Sequence, residues 1–269
     1  MRLEAPAKIN IGLIVGNRRE DGFHDIETIM ARISLFDIID AELSDSPSLS
    51  VSIKGNTCYL TSGEDLMEKA ARVFSARTGI VFQLDVSIDK RIPHGTGLGG
   101  GSSDAASILL FLNEMTGYPL CYSELLETAS EIGSDVPFFV SPYRGAFVRG
   151  RGEVVEECYV PTGKRLLLFF PDSPTSTASA YTRLDSVPRK ERHLPFLSDS
   201  FPTRETHPND FELVSPLNIY EVIPQPLFAS DSYISLSGSG SAWFVLFRDG
   251  IITKFDNPEK YGIVSAYII

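Results

Sequence analysis

Apolar and polar positions alternate along the first long segment of the chain. Between residues 7 and 15 every second position is apolar, and Lys8 and Asn10 stand between them, which is the period-two pattern of a strand with one buried face. Lys8 and Asn10 therefore share the polar face of the predicted strand. The polar loop 17–24 follows, and residues 26–39 continue as strand with partial alternation. Because binding and catalytic residues concentrate at strand ends and their loops, this region is a candidate part of a site.

The rest of the chain mixes helical and strand-like patterns in the manner of an α/β protein. Ser62 is the expected N-cap of the first helix, with Asp65 three positions later as in a capping box. Helices are predicted over about 62–78, 102–115 and 123–132, and strands over about 49–53, 80–88, 145–153, 166–170 and 243–247. A short helix containing Tyr181 and an irregular segment, 187–208, lie between the last two strands.

The length of 269 residues allows one large domain or two of ordinary size. We expect two, residues 1–153 and residues 154–269, with the second lobe starting after the hairpin-like stretch that ends at 153.

Net charge and cysteine content limit which binding partners and which cellular compartment are expected for the protein. A net charge of −11 repels nucleic acid and anionic membrane surfaces at long range, although a local basic pocket can still hold a phosphate. Cys58, Cys121 and Cys158 are widely separated, which predicts neither a disulfide framework nor a zinc site. The first residues do not resemble a signal peptide, and no stretch approaches the roughly 18 apolar residues of a membrane span. We therefore expect a cytoplasmic protein with a small-molecule partner, and the sequence leaves its oligomeric state open.

The most distinctive segment is a glycine run, PHGTGLGGGSSDAA at 93–106, between a predicted strand and a predicted helix. Five glycines fall within the seven positions 95–101. Without Cβ atoms they let successive backbone N–H groups turn towards an anion, and the helix adds the unpaired N–H groups of its first turn. The glycine run is therefore a candidate polyphosphate site, with a flexible turn as the alternative. Its G-x-G-x-x-G match is weak because no acidic residue closes a second strand, and it is not a Walker loop because no Gly-Lys-Ser/Thr ends it.

Four further features carry either a structural or a chemical interpretation. Lys8 is a solvated strand residue or part of a site. Lys90 and Arg91 bring positive charge to the start of the glycine run, or are solvated cations. Asp135, between a glycine and a proline, caps a helix or forms a turn, or presents a carboxylate for proton transfer. The Gly/Ser segment 235–242 is a linker or a tight loop packed before the following strand.

Four stretches in this order resemble the motifs of the GHMP small-molecule kinases: PAKIN at 6–10, the glycine run, GSDVPFF at 133–139 and LSGSG at 236–240. Each stretch is weak alone, and the ordered set is specific. Four further stretches resemble one branch of that superfamily, which phosphorylates a cytidine diphosphate-linked methylerythritol. They are RREDGFH at 18–24, GGGSSDAA at 99–106, STASAY at 176–181 and NDFE at 209–212. The resemblance covers residues from about 5 to 247.

This resemblance implies a GHMP kinase fold, with two α/β lobes of two layers each and the active site in the cleft between them. It implies transfer of phosphate from ATP, with Mg²⁺, to a hydroxyl of the cytidine diphosphate-linked substrate, a step of non-mevalonate isoprenoid synthesis. Residues 1–153 would bind ATP and residues 154–269 the substrate. The resemblance assigns no metal ligand in this chain.

The resemblance also implies roles for individual residues. Asp135 would accept the hydroxyl proton or orient the hydroxyl, and Lys8 would keep Asp135 ionised. The substrate-binding residues implied are Asn10, Phe23, His24, Thr177 and Tyr181, with the cytosine ring between Phe23 and Tyr181. The ATP-binding residues implied are Lys90, Pro93, Gly95, Gly97, Leu98, Gly99, Gly100, Gly101, Ser102 and Ser103. The loop expected to support the Asp135 side of the cleft is formed by Ser237, Gly238, Ser239 and Gly240.

Two positions depart from the usual pattern of the family, which has Asn in place of Asp65 and Tyr in place of Phe23. Asp65 is therefore not assigned as a nucleotide ligand. Phe23 keeps an aromatic ring that can stack on the cytosine, although it lacks the hydroxyl of tyrosine. Two alternatives stay open. One is another GHMP kinase, acting on homoserine or mevalonate. The other is a noncatalytic nucleotide- or sugar-binding module, against which the intact Lys8 and Asp135 argue.

Overall fold

The computed structural model describes residues 1–55, 65–171, 176–197, 201–223, 227, 232–248 and 263–269. Its strands are β1 (Arg2–Arg18), β2 (His24–Asp45), β3 (Ser50–Gly55), β4 (Phe82–Asp89), β5 (Gly145–Gly150), β6 (Val154–Glu157), β7 (Arg165–Phe169), β8 (Ser232–Leu236), β9 (Trp243–Phe247) and β10 (Val264–Tyr267). Its helices are α1 (Leu66–Thr78), α2 (Gly100–Met115), α3 (Tyr122–Ile132), α4 (Val136–Val140), α5 (Thr177–Asp185) and α6 (Ile219–Val222), with a 3-10 helix over Asp210–Val214.

The long antiparallel strands β1 and β2 form the centre of the first sheet. β1 pairs along one edge of β2, from Arg2 opposite Asp40 to Arg18 opposite His24. On its other edge, β2 pairs with β5 through its first half and with β4 through its second half. β3 and β6 complete the order β3-β4-β2-β5-β6. β3 and β4 run parallel, and α1 lies between them in the chain, because a parallel pair needs a crossover rather than a tight hairpin.

The second sheet has the order β10-β7-β9-β8, and its neighbouring strands are antiparallel. Three buried apolar clusters hold the layers together. The first cluster joins α1, α2, α3 and α4 to the first sheet, the second lies between the two sheets, and the third joins the second sheet to α5, the 3-10 helix and α6. The predicted α/β fold is confirmed, with helices on the outer face of each sheet.

The apolar run at 166–169 is continuous because both faces of β7 are covered. Leu166 and Leu168 belong to the cluster between the sheets. Leu167 and Phe169 belong to the cluster with α5. A strand buried on both faces shows no alternation, so this run correctly predicts a central strand.

Several boundaries differ from the expected ones. α1 begins at Leu66, because Asp65 is its N-cap and accepts a hydrogen bond from the Met67 N–H at 2.7 Å. Ser62, the expected cap, lies outside the described residues. α2 begins at Gly100, two residues before the expected start. α4, β8 and β10, which have four or five residues each, were not predicted.

The division into residues 1–153 and 154–269 stays a prediction, and β6, which starts the second part, pairs with β5 of the first sheet. The described parts of the irregular segment, 187–197 and 201–208, contain no helix or strand. Of the helices described, none is both long and apolar enough to cross a membrane. Cys121 and Cys158 are free thiols, and Cys58 lies outside the described residues.

A buried ionic cluster fixes the start of α2 against the first sheet. Asp37 of β2 is fully buried, and its Oδ1 accepts the backbone N–H groups of Arg91 and Ile92. Lys90 donates to the other oxygen of Asp37, and to Asp104 Oδ2 of α2 at 2.6 Å. Burial alone lowers the pKa of Lys90, but the two carboxylates outweigh it and the pKa is raised. One lysine thus joins β2 to α2 beneath the glycine run.

Asp104 is the member of this cluster whose pKa is shifted far from that of a free aspartate. Burial, with a contribution from the nearby Asp37, raises its pKa to about 7 against the attraction of Lys90. An aspartate in an unfolded chain titrates near about 3.9. Between these two values the folded protein holds a proton at Asp104 that the unfolded chain has lost, so this group makes the free energy of unfolding fall as pH rises.

We expect Asp104→Asn to remove this pH dependence. From about pH 5 to pH 7 the native carboxyl lowers the free energy of unfolding by up to about 1.4 kcal/mol per pH unit, and an amide at this position does not titrate. Urea unfolding across that range measures the slope. Asp89→Asn, which removes a half-exposed carboxylate paired with Arg91, should keep the wild-type slope. Equal slopes for Asp104→Asn and the wild type would contradict the assignment.

Candidate active site

A register shift in β1 turns Lys8 and Asn10 towards the helices. The pairing of β1 with β2 shifts just before Ala7, and Ala5 and Ala7 accordingly belong to different buried clusters. From Pro6 to Ala7 the partner on β2 changes from Phe36 to Ile33, so β2 carries two extra residues here, and such an irregularity re-aims the side chains that follow. The polar face predicted from alternation is therefore buried against the start of α2 instead of being solvated.

The Lys8 ammonium is buried and has fixed partners. Nζ donates to Asn10 Oδ1 at 2.6 Å and lies 3.3 Å from Asp135 Oδ2. Asn10 Nδ2 donates to Thr28 Oγ1 at 2.9 Å, and the Thr28 hydroxyl donates to the Gly12 carbonyl at 2.7 Å. This series of donors fixes which end of the Asn10 amide faces the lysine. The side chains of Lys8 and Asp135 are 3% and 29% exposed, so the pair opens to solvent at the carboxylate.

Asp135 precedes α4 without acting as its cap. It occupies the N-cap position, yet within the described residues its side chain makes no capping hydrogen bond. Pro137, in the first turn, has no N–H that needs a cap. The carboxylate is instead directed to Lys8, which favours the chemical interpretation of Asp135 over that of a turn former.

The glycine run packs back to back with the second Gly/Ser loop. A Cβ on Gly97 would lie 2.0 Å from the Ser237 carbonyl oxygen, and its φ is +78°, so glycine is required on both counts. Ser237 Oγ donates to the Gly97 carbonyl at 3.0 Å, and the Ala242 N–H donates to the Thr96 carbonyl at 3.0 Å. Segment 235–242 is therefore not a linker: residues 235–236 end β8, and residues 237–242 form a tight packed loop.

Lys8 touches both loops. Its backbone N–H donates to the Leu98 carbonyl at 2.9 Å. A Cβ on Gly99 would lie 3.1 Å from Lys8 Cγ, and one on Gly238 would lie 3.4 Å from Lys8 Nζ. Besides contacts with Asn209 and Thr177, the second Gly/Ser loop thus touches the glycine run and Lys8, so its support reaches Asp135 through the lysine.

A cavity of about 620 Å³ runs from β3 and the start of α1, over the glycine run, to Asp135. Its apolar end is lined by Val51, Ile53, Leu66, Met67 and Ile88. Every residue predicted to bind ATP lines the cavity except Ser103, which is 1% exposed inside α2. An apolar recess next to a row of backbone N–H groups suits a nucleotide, with its base at one end and its phosphates at the other.

The first turn of α2 faces this cavity. Gly99 is its N-cap with φ +72°, and in this fully described helix no acidic side chain occupies the first turn. A helix N-terminus presents unpaired N–H groups and partial positive charge to an anion. Lys90 also lines the cavity, although its ammonium already donates to Asp37 and Asp104.

Beyond Asp135, an aromatic group contains two of the predicted substrate residues. His24 stacks on Tyr181 with ring centroids 4.9 Å apart and planes at 16°, and Phe211 meets Tyr181 edge-on. His24 Nε2 lies 2.8 Å from Asp185 Oδ1. Burial, with a smaller contribution from the nearby charge of Asp135, raises the pKa of Tyr181 to about 12, so Tyr181 and the carboxylate share one region.

Phe23 and Thr177 lie at the exposed margin of this region. Phe23 is 47% exposed, and the Arg151 guanidinium lies 4.0 Å from its ring centroid. Thr177 begins α5, and its hydroxyl lies 2.9 Å from that of Ser239 in the second Gly/Ser loop. The ring stacked on Tyr181 in this structure is His24, and a cytosine between Phe23 and Tyr181 stays a prediction.

Three residues with roles in this geometry were missed. Thr28 orients Asn10, Asp185 holds His24, and Asp37 holds Lys90. Each acts through another side chain, and no motif marks such a residue. Asp37 alone carried a signal, since a carboxylate within a largely apolar strand needs a buried partner.

Within the part of the chain that is described, no group of three or more His, Cys, Asp or Glu side chains is placed to hold a metal ion. The carboxylates that line the cavity are those of Asp65, Glu68, Asp104 and Asp135. Of these, Asp65 caps α1 and Asp104 pairs with Lys90.

Comparison with known proteins agrees with this geometry. Residues 65–142 match the family model of the GHMP kinases N terminal domain. The 4-diphosphocytidyl-2-C-methyl-D-erythritol kinase of Geobacter metallireducens is 37% identical in an alignment of 283 positions, gaps included, that covers 99% of this chain and 98% of that protein. The enzyme of the same name from Syntrophotalea carbinolica is 36% identical over 252 residues, covering 91% of this chain and 89% of that protein.

Solved structures give the same result. A 4-(cytidine 5'-diphospho)-2C-methyl-D-erythritol kinase has a TM-score of 0.77 at 29% identity, covering 99% of this chain and 98% of its own. A homoserine kinase from Cytophaga hutchinsonii has a TM-score of 0.69 at 15% identity, covering 99% and 93%, and shares the fold alone. The chain therefore belongs to the 4-diphosphocytidyl-2-C-methyl-D-erythritol kinase family of the GHMP kinases.

Proposed function

We propose that this chain transfers the γ-phosphoryl group of ATP to the 2-hydroxyl of 4-diphosphocytidyl-2-C-methyl-D-erythritol. The observation that carries the proposal is the Lys8–Asp135 pair, 3.3 Å apart, at the end of the cavity formed by the glycine run. The acceptor comes from the names of relatives that match nearly the whole chain. The phosphoryl-transfer chemistry is inferred from the Lys8–Asp135 pair.

The reaction needs the acceptor oxygen in line with the γ-phosphorus and the departing oxygen of ADP. Phosphoryl transfer depends on such positioning and on charge stabilisation. Asp135 accepts the proton of the hydroxyl or orients it, and Lys8 pairs with the carboxylate and stabilises charge on the transferring group. A bond forms from the hydroxyl oxygen to phosphorus as the bond to the β–γ bridging oxygen breaks, and ADP leaves with that electron pair.

The cavity fits ATP at both ends. The backbone N–H groups of 97–103 and the start of α2 hold the β- and γ-phosphates, and the apolar end holds the base. Mg²⁺, when bound, neutralises charge between the phosphates. In such sites Mg²⁺ takes one or two carboxylates together with phosphate oxygens, and Asp135 is a cavity carboxylate at the phosphate end that would fit this demand.

The cytidine end of the acceptor is bound by Phe23, His24, Thr177 and Tyr181. Supporting this, Tyr181 lies close enough to Asp135 for the carboxylate to raise its pKa, and His24 stacks on the same ring. Asn10 acts through Lys8, to which it is bonded at 2.6 Å.

Asp135→Asn should lower kcat by about 10²- to 10⁴-fold, because a positioned base contributes that much, and should change the KM for ATP little. A coupled assay of ADP release measures both. Glu127→Gln, which alters an exposed carboxylate on α3 paired with Arg77, should keep the wild-type rate.

The same assay compares acceptors. The cytidylyl substrate should turn over, whereas homoserine and mevalonate should not. Turnover of either alcohol without the cytidylyl substrate would contradict the proposed acceptor. ATP binding without turnover of any acceptor would favour a noncatalytic module.

Gly97→Ala should raise the Kd for ATP more than about tenfold, because the added Cβ displaces the glycine run from Ser237 at a cost above about 1.4 kcal/mol. Isothermal titration measures this Kd. Gly117→Ala is the matched control, since Gly117 has φ +84° with nothing within 4 Å of an added Cβ, and its Kd should equal that of the wild type. Wild-type affinity in Gly97→Ala would contradict the assigned cradle.

Tyr181→Leu should raise the KM for the cytidylyl substrate and leave the KM for ATP unchanged. Stacking of a base on an aromatic ring contributes about 1–3 kcal/mol, so an increase of about tenfold is expected. Tyr159→Leu, at a tyrosine that is 61% exposed, should behave as the wild type. Equal changes in both KM values would contradict the placement of the cytidine.

A further inference from the structure

Cations from two neighbouring strands hold the two ends of α4. In the pairing of β1 with β2, Lys8 lies directly opposite Arg32, and opposed residues of an antiparallel pair project from the same face. Lys8 Nζ reaches Asp135, at the N-terminal end of α4. Arg32 reaches the other end of the same helix.

The Arg32 guanidinium binds the carbonyl groups that end α4. Nη2 donates to the carbonyl oxygens of Phe138, Phe139 and Ser141 at 3.2, 3.0 and 2.6 Å, and the guanidinium lies 5.5 Å from the Phe138 ring centroid. The last carbonyls of a helix have no intrahelical partner, and arginine is a suitable donor to them. Burial lowers the pKa of Arg32, and the three acceptors offset the lost hydration of its charge.

α4 depends on such external contacts for its orientation. It has five residues, a length of about 7.5 Å, and helices this short are not stable by their own hydrogen bonds. Its Phe139 packs on the start of α2, since a Cβ on Gly99 would lie 3.0 Å from that ring. A shift at the C-terminal end of α4 therefore changes the place of Asp135, whereas the glycine run keeps its support from Ser237 on its other side.

We infer that Arg32 is a positioning residue for phosphoryl transfer, which fixes α4 and thereby sets Asp135 against Lys8 and the glycine run. Arg32 is not among the residues that line the cavity, so it acts through the helix. The inference rests on the proposed function, in which Asp135 handles the acceptor hydroxyl.

Arg32→Met, which keeps an apolar stem and removes the donors, should lower kcat about 10- to 100-fold, because a displacement of about 1 Å at a reacting group has an effect of that size. The KM values for ATP and the cytidylyl substrate should stay within about twofold, since neither binds Arg32. Arg32→Lys keeps a positive charge, carried by one nitrogen, and its kcat should lie between those of the wild type and Arg32→Met. Ethylguanidine should restore part of the kcat of Arg32→Ala. Arg77→Met, at an arginine paired with exposed glutamates on α3, should keep the wild-type kcat.

A double-variant comparison separates positioning from a general structural effect. In an Asp135→Asn background, Arg32→Met should lower kcat no further, because the group that Arg32 positions is already absent. Thermal unfolding establishes that each variant is folded, and Arg32→Lys carries the same comparison where Arg32→Met does not fold.

A wild-type kcat in folded Arg32→Met overturns the inference. The inference is also overturned if Arg32→Met lowers kcat by the same factor in the Asp135→Asn background as in the wild type. An inactive Asp135→Asn beside a fully active Arg32→Met overturns the inference alone. Full activity of Asp135→Asn overturns the proposed role of Asp135 and the inference with it.

Discussion

The buried ammonium of Lys8 is the interaction on which the rest of the active site depends. A cation whose side chain is 3% exposed has lost most of its hydration, and leaving it without a partner costs on the order of 3–5 kcal/mol. Asn10 supplies one partner from the same strand, and Asp135 supplies the other from the start of α4. The need to compensate one charge thus brings a distant helix to β1, and it places a carboxylate at the end of the cavity over the glycine run.

The glycine run and the second Gly/Ser loop are subject to a different constraint, because their backbones lie in close contact with each other. Gly95, Gly97 and Gly99 all have positive φ, but they need glycine for different reasons. A Cβ on Gly95 would have nothing within 4 Å, whereas one on Gly97 would strike the backbone of Ser237 and one on Gly99 would crowd Phe139. The glycine run is therefore held from behind by protein, and its N–H groups are fixed before any phosphate arrives.

Long elements could be predicted from the sequence because they contain many periods, and β1, β2 and α2 are of this kind. The motif resemblance added what alternation cannot supply, namely that Lys8 and Asp135 act together. What remained unpredicted depends on pairing. Arg32 gains its role because it lies opposite Lys8 across two strands, and Lys8 faces the helices because of a register shift just before it. Neither fact leaves a local pattern in the sequence.

The proposed sites for the two substrates lie in parts of the protein that pack in different apolar clusters. The helices beside the glycine run belong to the first cluster, and Tyr181 packs on the third. The cluster between the two sheets separates them, and it includes Ala7 and Leu98, next to Lys8 and in the glycine run. Because protein interiors are close-packed and respond to changes of a single methylene, the distance from Tyr181 to Asp135 is set by how the two sheets pack. A reaction that relies on in-line positioning is therefore sensitive to residues between the sheets that touch neither substrate.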